Sequence, residues 1–398
     1  MRLPILLTAL CLPTLAAAQT APDPSNWDAV LEEAQGQTVY WHAWGGSTPT
    51  NEFISWLGDR VRDQYGVTLE HVRITDTADA VTRVISEREA GQDDDGAVDM
   101  IWINGANFAQ MKDADLLYGP FATQLPNYGL VEETEIITTD FSVPTEGYES
   151  PWARAQFVFM YDSADVTPPE SMEALLDWTE ANPGRFTFPQ PPDFLGVTFL
   201  KQVLYSQTED PSVLQEPVSE ADYEAVTAPL WEYMDALTPN LWRSGAAYPA
   251  TGPAQFRLLT DEEIDIAPSL SPSEASTAIA NFQLPEAMRT FVPRGGTIGN
   301  ASFVAIPYNS GAKAAAMVVA NEILAPEVQL HAQDPDVLGY GTVLDMEAVP
   351  PETAQAFADL DLGPATLGPA ELGEVLPEPH ASWSEAIEAD WISRYGSR

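Results

Sequence analysis

A chain of 398 residues with 60 Asp and Glu against 17 Lys and Arg carries a formal charge of −43, and a surface of that sign repels phosphate backbones and anionic membranes. Nucleic acid is thereby excluded as a partner. The one cysteine, Cys11, falls in a leader-like segment, so a processed chain has no disulfide, thiolate metal site or cysteine nucleophile.

That segment comes first. Arg2, the apolar run Leu3 to Leu15 and the triplet Ala16-Ala17-Ala18 follow the pattern of a secretory signal peptide, so residues 1–18 are expected to be cleaved and the remainder exported. Leu10 before Cys11 does not suit a lipoprotein signal. No later stretch has the roughly 18 uninterrupted apolar residues of a membrane span.

Trp27 to Gln35 reads as a helix capped by Ser25 or Asn26 and stopped at Gly36. Thr38 to Trp41 is a short strand of β-branched and aromatic residues, and the chain then breaks at Gly45 and Gly46. Ser47, Thr48 and Thr50 are N-cap candidates for a helix whose stripe begins Phe53, Ile54, Trp56, Leu57. Two glycines let backbone N–H groups approach a bound molecule, and Trp44 adds an aromatic face. A second strand (Thr68 to Arg73), an amphipathic helix (Ala78 to Ala90) and a third strand (Val98 to Ile103) follow. This last ends in Asn104-Gly105-Ala106-Asn107-Phe108, the same strand, polar turn, aromatic and helix again. Such alternation predicts a parallel sheet covered on both faces, with ligands beyond the carboxyl ends of its strands.

From Phe141 the chain is punctuated by proline. Phe141 to Pro144, Glu149-Ser150-Pro151-Trp152 and an extended strand from Ala155 to Tyr161 suit a connection between two lobes. A helix (Met172 to Asn182), a short strand (Phe186 to Phe188) and a proline-rich turn with Asp193 and Phe194 lead into a helix from Thr198. Asp210 to Pro253 is helical, and its Trp231, Tyr233 and Trp242 fit core positions. Ile264 to Pro268 is a strand opening into Ser269-Leu270-Ser271-Pro272-Ser273. Strands at Phe291 to Gly296 and Ala301 to Pro307 flank a turn, Thr297-Ile298-Gly299-Asn300. Helices at Gly311 to Leu324, Pro326 to Gln333 and Ser382 to Tyr395 complete the chain, the last bearing Trp383.

Catalytic signatures are absent. There is no His-Glu-x-x-His, no phosphate-binding glycine loop with a following lysine, and no Gly-x-Ser-x-Gly. Ser310-Gly311-Ala312-Lys313 matches Ser-x-x-Lys, but its companion motifs are missing. His42, His71, His331 and His380 are scattered singly, so neither a metal site nor a cofactor is expected. A secreted carbohydrate-active enzyme using two of the many carboxylates is the alternative to a binding protein.

The order His42-Ala43-Trp44-Gly45-Gly46, Asp99 to Phe108, Phe141 to Pro144, Ser150-Pro151-Trp152, Pro191-Pro192-Asp193-Phe194, Ile298-Gly299-Asn300 and Ala314 to Pro326 resembles the extracellular solute-binding proteins of bacterial ATP-driven (ABC) importers, closest to the YnjB-type branch. The resemblance implies an α/β, two-lobe periplasmic binding protein type 2 fold, with interlobe crossing strands and one solute in the cleft. Lobe 1 would be residues 19–143 and 300–338, and lobe 2 residues 144–299 and 339–398. By position, Trp44, Gly45, Gly46, Ser47, Thr48, Asn104, Gly105, Asn107 and Phe108 would form one wall of the site. Asp193, Phe194, Ser269 and Ser271 would form the other, with Ser150, Pro151, Trp152, Gly299 and Asn300 near the crossings and Trp383 from the closing helix. The expected partners are a small cationic or heteroaromatic solute and the membrane permease, for a monomeric protein. Helix starts at Gly45-Gly46, Gly105 and Ser269 to Ser273 keep an oxyanion open as the second ligand class.

Overall fold

A computed structural model describes residues 22–396. The leader sequence and Cys11 lie outside the described residues. Eleven strands occur among the described residues: β1 (Thr38–Trp44), β2 (Thr68–Ile74), β3 (Met100–Ile103), β4 (Thr139–Asp140), β5 (Val143–Pro144), β6 (Glu149–Gln156), β7 (Val158–Asp162), β8 (Ile266–Ser269), β9 (Met288–Phe291), β10 (Thr297–Ala305) and β11 (Val375–Leu376).

The opening unit forms as its pattern dictates. Strands β1, β2 and β3 pair in parallel, in the order β3-β1-β2, and the helices Thr48–Tyr65 and Thr77–Glu89 connect them. Phe53, Ile54, Leu57 and Val61 recur at helical spacing on the first of these helices and are buried. Ser47 accepts a hydrogen bond from Thr50 N, Pro49 stands in the first turn, and Gly66 in the left-handed region (φ 69°) ends the helix.

The sheet is not wholly parallel. Strand β10 runs antiparallel to β3 on one side and to β6 on the other. The turn expected at Thr297 to Asn300 is absent because these four residues are the first part of β10, a nine-residue strand buried along nearly its whole length. Glycine and asparagine suggest a turn, but here they lie where side-chain space is short: a Cβ on Gly299 would stand 2.5 Å from Val375 Cγ1. Strand β6 continues through Phe157, whose N–H donates to Ile298 O, into β7, the centre of a second antiparallel sheet ordered β8-β7-β9. Two strands therefore cross from one sheet to the other. The expected strand Phe186 to Phe188 is reduced to one bridge, Phe186 to Ile266.

Two large cores lie at either end of these crossings. The first gathers β1, β3, the helix Lys313–Ile323 and the lobe-1 part of β10, and takes in Trp152, Ala153, Leu338 and Val343. The second gathers Phe157, Phe159, Phe199, Trp231, Ile298, Trp383 and Trp391. This is the two-lobe α/β architecture with a mixed first sheet. Among the described residues no helix is long and apolar enough to cross a membrane.

Candidate functional site

The carboxyl ends of β1 and β3 in the first lobe and of β8 in the second open onto the junction, where the crossing strands form the floor. Trp152 on β6 is its aromatic centre. The indole is fully buried, lies edge-on to Trp41 and Trp102 at 6.1 and 4.8 Å, is nearly parallel to Phe53 at 6.2 Å, and meets Tyr340 at 5.8 Å. Its Nε1–H has no partner among the described residues.

Tyr340 joins the lobes. Its hydroxyl lies 3.4 Å from Thr50 Oγ1, in the first turn of Thr48–Tyr65. The preceding residue, Gly339 (φ 69°), fits so tightly against the turn after β8 that a Cβ would come within 2.8 Å of Ser273 Cβ and Thr277 Oγ1. In that turn Ser269 Oγ donates to the carboxylate of Glu274, and Ser271 N donates to Ser269 Oγ at 3.0 Å. Burial pushes the Glu274 carboxyl above its usual range, opposed by the Ser269 hydrogen bond. Burial also raises the Tyr340 phenol, and the Glu274 charge adds to that rise.

A second polar cluster sits beside the crossings. Lys201 Nζ pairs with Glu378 Oε2, both side chains being almost fully buried. Asn300 Nδ2 donates to Glu378 Oε1 at 2.9 Å, and the Phe141 ring centroid lies 4.2 Å from the lysine nitrogen. Asp140 accepts Gly105 N at 2.6 Å, while its other oxygen has no partner among the described residues. Burial pushes Asp140 up to about 8, with the Gly105 bond opposing and Glu378 reinforcing the rise. Asp140, Asn300 and Glu378 line a cavity of about 10 Å³, room for one water. No group of three or more His, Cys, Asp or Glu among the described residues is arranged to hold a metal.

The structure brings some of the expected residues to the junction and withdraws others. Trp44 is the last residue of β1 and half-buried, Gly46 and Thr48 are exposed, and Ser47 and Asn107 are half-buried. The two glycines make room for the protein's own side chains: a Cβ on Gly45 would meet Arg73 Cβ at 2.7 Å, and one on Gly46 would meet the Trp44 ring at 2.3 Å. Asn104 donates to Ala301 O, and Gly105 is turned to Asp140. Phe194 is 44% exposed at the start of the helix Phe194–Gln207, but Asp193 is its cap and gives both oxygens to backbone, one to Leu195 N and one to Gly252 N. Ser271 is half-buried and Ser269 wholly so.

Phe108, Ser150, Pro151, Trp152, Gly299 and Asn300 are buried, and Trp383 is withdrawn altogether. Trp383 sits in the second core, its Nε1–H on Glu216 O and its ring stacked with Tyr223 at 6.0 Å, which leaves no face for a solute. Sequence reasoning missed Trp102, Tyr340 and Glu274. Ser271-Pro272-Ser273-Glu274 has the Ser-x-x-Glu spacing of a helix start, which would have brought out Glu274. Lys201 and Glu378 are 177 residues apart and carry no such signal.

Fold and junction together define the class of substrate-binding components of ABC transporters. The model of the family described as bacterial extracellular solute-binding protein matches residues 56–358, and the chain belongs to that family. Protein YnjB of Escherichia coli (strain K12) is 41% identical over 385 residues, covering 96% of this chain and 97% of its own. Among solved structures, a putative spermidine/putrescine ABC transporter from Listeria monocytogenes superposes with a TM-score of 0.62 at 15% identity, covering 90% of this chain and 98% of that one. The binding protein AfuA from Actinobacillus pleuropneumoniae, bound to fructose-6-phosphate, gives 0.63 at 12% identity, with the same coverage. At such identities the likeness is one of fold alone. Family and fold are those of transport binding proteins, and the carbohydrate-active alternative finds no support in either.

Proposed function

We propose that this protein is exported with loss of its leader, acts as a monomer without chemical turnover, and captures a small solute bearing a cationic or heteroaromatic group, which it hands to an ABC permease. The reading rests on one observation: the turns at the junction carry the protein's own hydroxyl and carboxyl groups. Ser47 caps Thr48–Tyr65, Asp140 sits on Gly105 N, and Asp193 takes Leu195 N and Gly252 N. The Glu274 carboxylate folds onto the turn after β8. An oxyanion there would face the Asp193 and Glu274 carboxylates, whereas a cation would be attracted by them. Trp44, Trp102 and Phe194 add π faces, each contributing about 0.5–2 kcal/mol to a desolvated cation.

Lobe boundaries are best drawn where the cores divide. Lobe 1 then runs to Gln156 and resumes from Gly299 to Ala358, because Trp152, Val343 and Phe357 pack on that side; lobe 2 holds the rest. Native mass spectrometry of gently purified protein identifies any retained solute, and thermal-shift screening with thiamine, polyamines, quaternary amines and simple anions ranks the classes. Stabilisation by organic cations is expected. Stabilisation by anions alone would contradict the reading.

A further inference from the structure

We infer that Glu274 is the residue that reads the solute's positive charge, its carboxylate standing in the turn after β8 on the second-lobe side of the junction. The inference deepens the cationic reading above and rests on it.

Of the carboxylates at the junction, Asp193, Asp140 and Glu378 are committed elsewhere, and Glu149 on β6 is wholly buried. Asp193 has both oxygens on backbone N–H groups, and Asp140 has one oxygen on Gly105 N and sits in the closed cluster with Lys201 and Glu378. Glu274 differs. One oxygen is held by Ser269 Oγ and the residue is half-buried; among the described residues no Lys or Arg pairs with the carboxylate, and its second oxygen has no partner. A half-buried carboxylate without a counter-charge is unfavourable until a cation arrives beside it. In its own turn Ser271 Oγ is buried and unpartnered among the described residues, as is Trp152 Nε1 on the crossing strand β6.

The placement also accounts for closure. Glu274 belongs to the second lobe, whereas Trp102 and the Thr50 partner of Tyr340 belong to the first. A cation seated between them interacts with both lobes only when they are together, and this differential interaction is what shifts the equilibrium to the closed state.

The test compares wild type with Glu274→Gln, which keeps the side-chain length and an acceptor for Ser269, and with Asp193→Asn as the competing carboxylate. The probes are thiamine, spermidine, putrescine and choline, with 1,4-butanediol and 3,3-dimethylbutanol as uncharged counterparts of the last two. Melting curves without probe establish that each variant is folded. At least one cation is expected to bind wild type, neither uncharged counterpart to bind, and Glu274→Gln to weaken the bound cation by about 30-fold or more. If a cation binds and Glu274→Gln holds it within threefold of wild type, or if Asp193→Asn produces the larger loss, the assignment of Glu274 is overturned while the cationic reading stands. If none of the four cations binds, both fall.

Discussion

Asp140 shows how a single side chain at the junction ties stability to pH. It is 1% exposed and carries a carboxyl raised to about 8 from an ordinary 3.8, chiefly by burial. The folded protein therefore keeps a proton that the unfolded chain releases above about pH 4. The stabilising contribution of that proton is fully present below the unfolded value and is lost as pH rises through about 8. Glu149 acts in the same direction: it is buried, both its oxygens lack partners among the described residues, and burial pushes it well up, reinforced by Asp140. Asp140→Asn keeps an acceptor for Gly105 N and removes the titration. Urea unfolding at pH 5 and pH 8.5 is expected to show wild type losing more stability than Asp140→Asn over that interval. Equal losses would show that Asp140 does not hold the proton.

At the scale of elements, the β4–β5 hairpin is the piece that fixes the floor of the junction. Its tip residues Phe141 and Ser142 both lie in the left-handed region, at φ 48° and 62°. This non-glycine turn persists because its side chains are tied down: Ser142 Oγ donates to Gln215 Oε1, and Phe141 lies between Gly105 and Lys201. Gly105 has φ 59°, and a Cβ there would stand 3.1 Å from the Phe141 ring. Gly105→Ala is expected to cost about 1–3 kcal/mol in chemical denaturation, because the backbone is unsuited to alanine and the ring must move. A change below about 0.5 kcal/mol would show that the hairpin yields easily.

The elements also show what a sequence can and cannot reveal. Regular periodicity located the helices at Trp27–Ala34, Thr77–Glu89, Met172–Ala181, Lys313–Ile323, Pro326–Gln333 and Ala381–Tyr395 to within a few residues, since an apolar stripe needs no knowledge of its partner. The stretch 210–253 is instead mainly one helix, Tyr223–Leu237, among short 3-10 turns, and sequence reasoning missed the helix Pro351–Ala358. Residues 297–300 were misleading because glycine and asparagine favour turns locally, whereas tertiary pairing with β6 and β11 holds them extended. Trp152, Phe108 and Trp383 were expected at the ligand; Phe108 and Trp383 are enclosed in the two cores, and Trp152 is buried where the crossing strands meet. Residue type alone does not distinguish an aromatic wall from an aromatic core. The turns after β1, β3 and β8 were legible because they follow strands, but the groups that fill them, Asp140 and Arg73 among them, come from distant or neighbouring strands whose approach no local pattern records.

For the whole molecule, two strands carry the mechanical connection. The continuous run of β6 into β7 and the length of β10 join two cores, so a relative movement of the lobes must bend these strands or the segment around Gly339 and Gly341 that packs beside them. The net charge of −43 surrounds this hinge with a field that enriches cations near the cleft, an effect that weakens with ionic strength. Because Cys11 is the sole cysteine of the sequence, a leader-free chain accepts engineered labels without background. Double electron–electron resonance between spin labels at Gln64→Cys on lobe 1 and Glu224→Cys on lobe 2, both exposed positions, reads the interlobe distance directly. Addition of a cation that stabilises the protein in thermal-shift screening is expected to shorten and narrow the distance distribution. Identical distributions with and without that cation would contradict a solute receptor that signals by closing its lobes.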